Sequence, residues 1–400
     1  MSKHALIIGG GIAGPTAAMA LQRAGISSTV FEAHPGDAGG AGVFLTVAVN
    51  GIAALRTLDL DGPVTGAGFA SPSIEFTSGT GKRLGVTPIG GTLFDGTTAH
   101  TIRRPDLYRI LYDEARRREI RIEHGKRLVA AEATPAGGVV TRFEDGSTAS
   151  GDLLVGADGI HSRTRRIIDP AAPSPRYAGL SNVGGYSHAS LTGIEPGTYH
   201  MMFGKDAFFG YVVSPAGDVW WFANPPRRTE LSRAELEATP EEWKARLLEL
   251  FRRDAGPTSD IIRKTNVLAV TNQHDLPRVP VWSRGPMIII GDAAHAASPT
   301  SGQGASLAIE DAIVLAQCLR DLPTAAAFAA FERLRRPRVE RVVKWAARMN
   351  QTKMPSAIGR IVRDAVMPIL LKQFASRSQS WLFDYTIDWN QRVGAGTMAA

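Results

Sequence analysis

Three short segments of the chain carry residue types that can do chemistry together. The first is Gly9-Gly10-Gly11-Ile12-Ala13-Gly14, which fits G-x-G-x-x-G, with Glu32 eighteen residues beyond its last glycine. In that pattern Gly9 allows a tight turn, Gly11 lets backbone approach a pyrophosphate, and Gly14 lets a helix pack closely on a strand. The helix start adds unpaired N–H groups and a partial positive charge for the phosphates. A carboxylate at position 32 can accept from both hydroxyls of a ribose and repels a 2′-phosphate. This is dinucleotide chemistry, and the segment alone fits NAD or FAD. The second segment runs from Asp152-Leu153-Leu154-Val155-Gly156 into Ala157-Asp158-Gly159, then Ser162, Arg163 and Arg165. The third runs from Met287–Gly291 into Asp292-Ala293-Ala294-His295, then Pro299, Gly302, Gln303 and Gly304. An aspartate at a strand's C-terminal end can bind a ribityl hydroxyl. Backbone at Gly302–Gly304, opening a helix, can donate to a flavin where negative charge collects on reduction.

These segments need a scaffold of buried strands and packed helices. Ala5–Ile8 is a continuous apolar run, as a strand buried on both faces should be. Helical spacing follows from Ile12 to Ala24, and Thr29–Glu32 is a second short strand, giving a βαβ start. The spacing predicts a helix over Pro105–Arg118, strands at Ile120–Glu123 and Leu153–Gly156, and a hairpin of Val139–Phe143 and Ser147–Ser150 around Asp145-Gly146. From Tyr177 the texture turns to short strands, Tyr199–Phe203, Phe208–Val213 and Val219–Phe222, interrupted by a helix at Pro240–Arg252. The buried-strand pattern returns at Met287, and helices dominate from Ala305. A discontinuous nucleotide domain with an inserted β-rich domain accounts for this order. The expected division is 1–70, 97–175 and 283–345 for the first, 71–96 and 176–282 for the second, and 346–400 as a C-terminal helical segment. That tail has apolar spacing at Ile358, Ile361, Val362, Val366, Ile369 and Leu370, and is expected to cap the second domain; contact with a membrane surface is the sharper alternative.

Composition narrows the class. The chain has 400 residues, 44% of them hydrophobic and 21% charged, which suits a soluble globular protein of two or three units. A single cysteine, Cys318, excludes an internal disulfide and argues against a cysteine zinc site, and a cytoplasmic location fits best. The formal net charge is +7, but the arginine runs at 116–118, 163–166 and 333–338 do not interleave with aromatics as a nucleic-acid groove would. They are expected to be solvated faces. No stretch is long and apolar enough to span a bilayer, and no metal-binding pattern is present, so neither an integral membrane segment nor a metal is expected.

The glycine fingerprint, the Asp-Gly segment, the Gly-Asp segment and Arg103-Arg104-Pro105-Asp106-Leu107, in that order, resemble the para-hydroxybenzoate hydroxylase family, the single-component FAD aromatic-ring monooxygenases. The likeness covers most of the chain and extends to Phe331-Glu332-Arg333 through Arg338-Val339; in texture it is similar to salicylate-type, urate and tetracycline-inactivating members. It implies an α/β fold: a Rossmann-like FAD-binding domain of the GR2 type, an inserted antiparallel β-sheet substrate domain, and C-terminal helices. It implies that Gly9, Gly11, Gly14 and Glu32 hold the ADP half of FAD. Arg104 and Asp292 would position the ribityl-pyrophosphate arm, and Gly302 and Gly304 would sit against the isoalloxazine. Asp158 would serve FAD and nicotinamide nucleotide together, with Arg165 supporting its loop. Ser306 stands where many relatives have Asn, and Ser301 where Gly is frequent.

The implied activity is insertion of one oxygen atom from O2 into a small aromatic or polycyclic substrate through a flavin C4a-hydroperoxide, with NADPH or NADH as transient reductant. The alternative is a related flavoprotein reductase, dehydrogenase or epoxidase without aromatic hydroxylation. Pro299 would line the flavin face where oxygen reacts, and no acid or base is assigned. Substrate is expected between the flavin and the β-rich insert, against Phe203, Phe208, Phe209, Tyr211, Trp220 and Phe222. His295 is expected to be structural, and the chain a monomer or homodimer.

Overall fold

Strand β1 (His4–Ile8) is buried along nearly its whole length and feeds through the glycine turn into α1 (Ala13–Arg23), which stops where Gly25 takes φ +79°. β2 (Ser27–Phe31) returns parallel to β1. The structure is a computed structural model that describes residues 3–36, 42–276, 278–352, 357–374 and 380–394. Next come β3 (Phe44–Val47), α2 (Val49–Arg56), α3 (Asp61–Ala67), β4 (Phe69–Ala70), β5 (Ser73–Ser78), β6 (Arg83–Pro88) and β7 (His100–Arg103). Pro105 in its first turn starts α4 (Arg104–Arg117), and its buried stripe is Leu107, Leu111 and Ala115. Then follow β8 (Arg121–Glu123), β9 (Leu128–Ala133), β10 (Val139–Phe143), β11 (Thr148–Gly151), β12 (Leu153–Gly156) and α5 (Arg163–Ile168).

The β-rich stretch supplies β13 (Arg176–Ser187), β14 (Tyr199–Phe203), β15 (Phe208–Val213) and β16 (Val219–Asn224). After it come α6 (Arg233–Leu236), α7 (Pro240–Phe251), α8 (Thr258–Arg263) and β17 (Thr265–Asp275). A capping box of Thr239 and Glu242, with Pro240 at the first position, fixes where α7 begins. The chain closes with β18 (Ser283–Arg284), β19 (Met287–Ile289), α9 (Asp292–His295), α10 (Gly304–Asp321), α11 (Thr324–Thr352), α12 (Ala357–Phe374) and α13 (Ser380–Phe383).

Two large sheets organise these elements. The first has the order β18-β19-β12-β1-β2-β8 and is parallel except for the edge strand β18. The second has the order β17-β13-β16-β15-β14-β5-β6. Its pairs are antiparallel except β14 with β5, so the insert is a mixed sheet with one parallel pair. A small sheet, β3-β7-β4, lies between them in the chain and packs onto the second sheet: Tyr199 Oη meets Thr46 Oγ1 at 2.9 Å and Thr101 Oγ1 at 2.8 Å. The main core joins the parallel sheet to α1, α4, α10 and α11. A separate core covers one face of the seven-stranded sheet, where Trp243, Leu247 and Phe251 of α7 and Ile261 and Ile262 of α8 pack on Phe209, Tyr211 and Trp221. Helix α12 lies on β6, whereas Trp381, Leu382 and Val393 return to the main core. The side chains of Ile358 and Leu370 lie outside the described residues.

The arginine run 333–338 is not a solvated face. Arg335 is fully buried, and it meets Glu310 at 2.6 Å and Asp311 at 2.7 Å; Arg338 meets Glu310 at 2.9 Å. Residues three apart on α11 share one helix side, and here that side faces the two acids of α10. The run at 163–166 is split likewise: Arg165 is buried and Arg163 and Arg166 are exposed.

Candidate active site

Ile8 of β1, Gly156 of β12 and Ile289 of β19 are cross-strand partners in one row of the parallel sheet. The three chemical segments therefore leave the same edge of the sheet side by side, at the carboxyl ends of adjacent strands, where open α/β sheets bind ligands. A Cβ built on Gly9 would lie 2.4 Å from the Ala157 carbonyl oxygen, and one on Gly14 would lie 1.9 Å from the Gly9 oxygen. Both glycines are demanded by backbone contact. Gly11 differs, because a Cβ there would meet nothing nearer than Tyr108 Oη at 3.8 Å. Its open side is the one the fingerprint reserves for phosphate.

Glu32 is buried just past β2, and its carboxylate closes the turn: Oε2 accepts from Gly10 N at 2.6 Å and Oε1 from His34 N at 2.8 Å. Each oxygen keeps a lone pair for a ribose hydroxyl. Asp158 is spent mostly on its own loop. It accepts from Ser162 Oγ at 2.5 Å and from Thr164 N and Oγ1 at 2.9 and 3.0 Å; burial raises its pKa, and these bonds oppose the rise. Arg165, fully buried, donates to Ile160 O at 2.7 Å and to Ala293 O at 2.9 Å. It thereby fastens the Asp-Gly loop to the Gly-Asp loop.

Asp292 heads α9, exposed on one side yet surrounded by enough protein that desolvation raises its pKa. The charges of His295 and Arg104 act against that rise. Arg104 and Asp292, distant in sequence, thus feel each other. Arg104 donates to Tyr108 Oη at 3.1 Å, and its buried Nε has no partner among the described residues. Gly302, with φ +61°, and Gly304 open α10, and a Cβ on either would meet nothing within 4 Å among the described residues. Between them Gln303 is fully buried, its Oε1 accepting from Asn50 Nδ2 at 2.9 Å while its Nε2 has no partner among the described residues. Pro299 is exposed on a 3-10 turn that Asn350 braces through Thr300 and Ser298. Ser306 ties α10 to the start of α2: its Oγ accepts from Ala48 N at 3.2 Å, and a Cβ on Gly51 would lie 2.5 Å from that oxygen.

A buried polar network holds this edge rigid. Asp311 Oδ2 accepts from Gly291 N at 2.9 Å and pairs with His295 Nε2 at 2.5 Å, while Oδ1 takes Arg335. The opposing cations hold the Asp311 pKa down at about 2 although burial pushes the other way. Asn50, Glu310, Arg335 and Arg338 complete the network, and none was legible as a unit, because its members come from α2, α10 and α11.

The aromatic residues expected to meet substrate divide between two faces. Phe203, Phe208, Trp220 and Phe222 lie with Tyr199 and Met201 on the face toward the small sheet, where Phe44 sits 5.6 Å from Trp220 and 6.4 Å from Phe222. Phe209 and Tyr211 point the other way, into the core under α7 and α8. The correction follows from the period of two in a strand: Phe208 and Phe209 cannot share a face. The aromatic cluster on that face also holds Phe44, Phe69 and Tyr186, and Arg103 lies over the rings of Tyr186 at 5.0 Å and Trp220 at 5.4 Å. The Trp220 indole N–H is buried without a partner among the described residues.

The unpartnered Arg104 Nε and Gln303 Nε2, the open sides of Gly11, Gly302 and Gly304, and the buried acid at 32 suit a long, anionic, polyhydroxylated group with an electron-accepting ring. Comparisons with known proteins agree. The family described as FAD binding domain matches residues 3–346. An aurachin C monooxygenase/isomerase of Stigmatella aurantiaca is 32% identical, the match covering 91% of this chain and 94% of that one. An FAD-dependent urate hydroxylase of Klebsiella pneumoniae is 30% identical, over 85% and 87%. The crystal structure of Klebsiella pneumoniae HpxO complexed with FAD and uric acid superposes with a TM-score of 0.81 at 26% identity, over 92% of this chain and 93% of that one. The resemblance to the para-hydroxybenzoate hydroxylase family holds, the fold is the one it implies, and the cofactor is FAD.

Proposed function

The chain belongs to the FAD-binding-domain family and is an FAD-dependent monooxygenase, and from that premise we propose that it uses NADPH or NADH to insert one atom of O2 into a small aromatic or polycyclic substrate. The observation that carries the reading is the in-register row Ile8–Gly156–Ile289, which sets the three ligand-binding loops on one sheet edge. When bound, FAD supplies hydride acceptance and O2 activation. The protein's residues bind, orient and exclude water. The start of α1 and Gly11 take the pyrophosphate, and Glu32 takes the adenosine ribose. Arg104 and Asp292 hold the ribityl arm. The backbone at Gly302 and Gly304, at the positive end of α10, faces the charge that collects on the reduced ring. Arg165 and the Asp311 network keep these loops in register. Phe44, Trp220 and Phe222 form a dry aromatic wall that favours a flat substrate and keeps water from the reacting oxygen. The division expected from the sequence, with 71–96 and 176–282 on the substrate side, is the one this reading uses.

The test is a yellow purified protein whose NAD(P)H oxidation rises on adding a phenol or heteroaromatic acid, with one O2 consumed per oxygenated product. Stimulated oxidation without oxygen in the product overturns the monooxygenase reading in favour of a reductase.

A further inference from the structure

A helix lying on a globular protein normally turns its apolar side inward. Helix α12 turns Met367 and Leu371 inward but carries a second apolar stripe that faces out. Its outward stripe is Ile361, Val362, Ala365, Val366 and Ile369, at helical spacing, with Ile361 72%, Val362 55%, Val366 42% and Ile369 58% exposed. The charged residues of its middle turns face the protein. Arg360 donates to the Lys205 carbonyl, Arg363 lies 4.4 Å over the Phe203 ring, and Lys82 Nζ donates to the Asp364 carbonyl at 3.0 Å. The helix is seated firmly: a Cβ on Gly85 of β6 would come within 2.9 Å of Leu371. An exposed apolar stripe on a seated helix marks a surface that something else covers.

Charge identifies the occupant. Between residues 341 and 383 the sequence has eight basic residues and one acid, Asp364; Arg363 pairs with Asp364 and Arg360 turns to the protein, which leaves six other basic residues in the stretch. Arg341, Lys344 and Arg348 form an exposed basic stripe on the last turns of α11, just ahead of α12. A second copy of the chain would bring two such stretches together and repel. An anionic lipid surface satisfies both features, because the apolar stripe enters the acyl boundary while lysine and arginine meet the headgroups.

We propose that α12, with the end of α11, docks the protein on anionic membrane surfaces. Among the described residues no helix is long and apolar enough to cross a membrane, so the attachment is peripheral. The inner side of α12 packs Met367 on the cluster of Leu84, Phe203 and Phe208, so docking sets the aromatic wall one helix thickness from the lipid. The proposal stands apart from the flavin chemistry and is tested without it.

The FAD-loaded 400-residue chain is sedimented with vesicles of phosphatidylcholine alone or mixed with phosphatidylglycerol, at low and high salt. Binding to the mixed vesicles only, weakened by salt, is the expected result. The triple variant Ile361→Gln, Val366→Gln, Ile369→Gln should lower that binding by about tenfold or more. Lys344→Glu with Arg348→Glu should lower it further as salt falls. Flavin absorbance and melting temperature should stay at the wild-type values in both. Absence of vesicle binding, equal binding to neutral vesicles, or light scattering that shows a dimer dissolved by the glutamine variant would overturn the proposal.

Discussion

Gly11→Ala separates folding from cofactor binding. The site needs no positive φ, and the added methyl would meet nothing closer than Tyr108 Oη at 3.8 Å. Alanine is a better helix former than glycine near a helix start, so the apoprotein's stability should change by less than about 1 kcal/mol, in the stabilising direction if at all. The same methyl stands where the pyrophosphate must approach the backbone. Losing one or two charge-assisted hydrogen bonds at about 1.5–3 kcal/mol each weakens FAD binding by about tenfold to ten-thousandfold. Gly14→Ala is the contrast: its methyl would sit 1.9 Å from the Gly9 carbonyl oxygen, so α1 must move off β1, at about 1–3 kcal/mol or more. The assay pairs titration of apoprotein with FAD, read by flavin fluorescence, with urea unfolding of the apoprotein. If Gly11→Ala binds FAD like wild type, or loses as much stability as Gly14→Ala, the assignment of the Gly11 side to phosphate is wrong.

Asp311→Asn leaves fully buried Arg335 without one carboxylate and should destabilise by about 3–5 kcal/mol in urea unfolding. The Asp311 pKa is depressed in the folded state, so its contribution is present above the ordinary carboxylate range and lost as pH falls from about 4 through about 2. Wild-type stability should fall in that window more steeply than that of Asp311→Asn, and parallel curves would refute the role. On the seven-stranded sheet, Phe209→Ala should cost about 3–5 kcal/mol in thermal unfolding with no selective change in substrate KM. Trp220→Phe removes an unpartnered buried N–H, so it should leave stability within about 1 kcal/mol while shifting KM for the aromatic substrate; the opposite pattern would reverse the two faces.

What the sequence displayed and what it hid follow from the range of the interactions. Buried strands at Ala5–Ile8 and Leu153–Gly156 and the helix after Pro105 are local patterns, and the structure has them within a residue or two. The glycine positions of the loops were equally readable, because a tight turn and a close backbone approach each require glycine at a fixed offset. The face of an aromatic residue was harder. Alternation separates Phe208 from Phe209 but does not say which side meets α7 until the helix is placed. Arg335 and Arg338 looked like surface charge because their partners, Glu310 and Asp311, lie one helix earlier in the chain.

That hidden network explains why loops from three strands can act as one site. Gly291 has φ +58° and offers its N–H to Asp311, so the start of the Gly-Asp loop is fixed from beneath by α10. Arg165 reaches the next turn of the same loop at Ala293 from the Asp-Gly side. The loop from Gly291 to Ala293 is therefore held at two points, its Gly291 N–H by Asp311 and its Ala293 carbonyl by Arg165, two buried charged groups that belong to different segments. Each would be expensive to bury alone; here Asp311 meets Arg335 and His295, and Arg165 donates to two backbone carbonyls. The glycine turn leans on the same assembly through the Gly9–Ala157 contact, where no side chain fits. A shift in any one loop must therefore move the other two, and this coupling lets short, glycine-rich segments keep a fixed geometry toward a ligand that spans them.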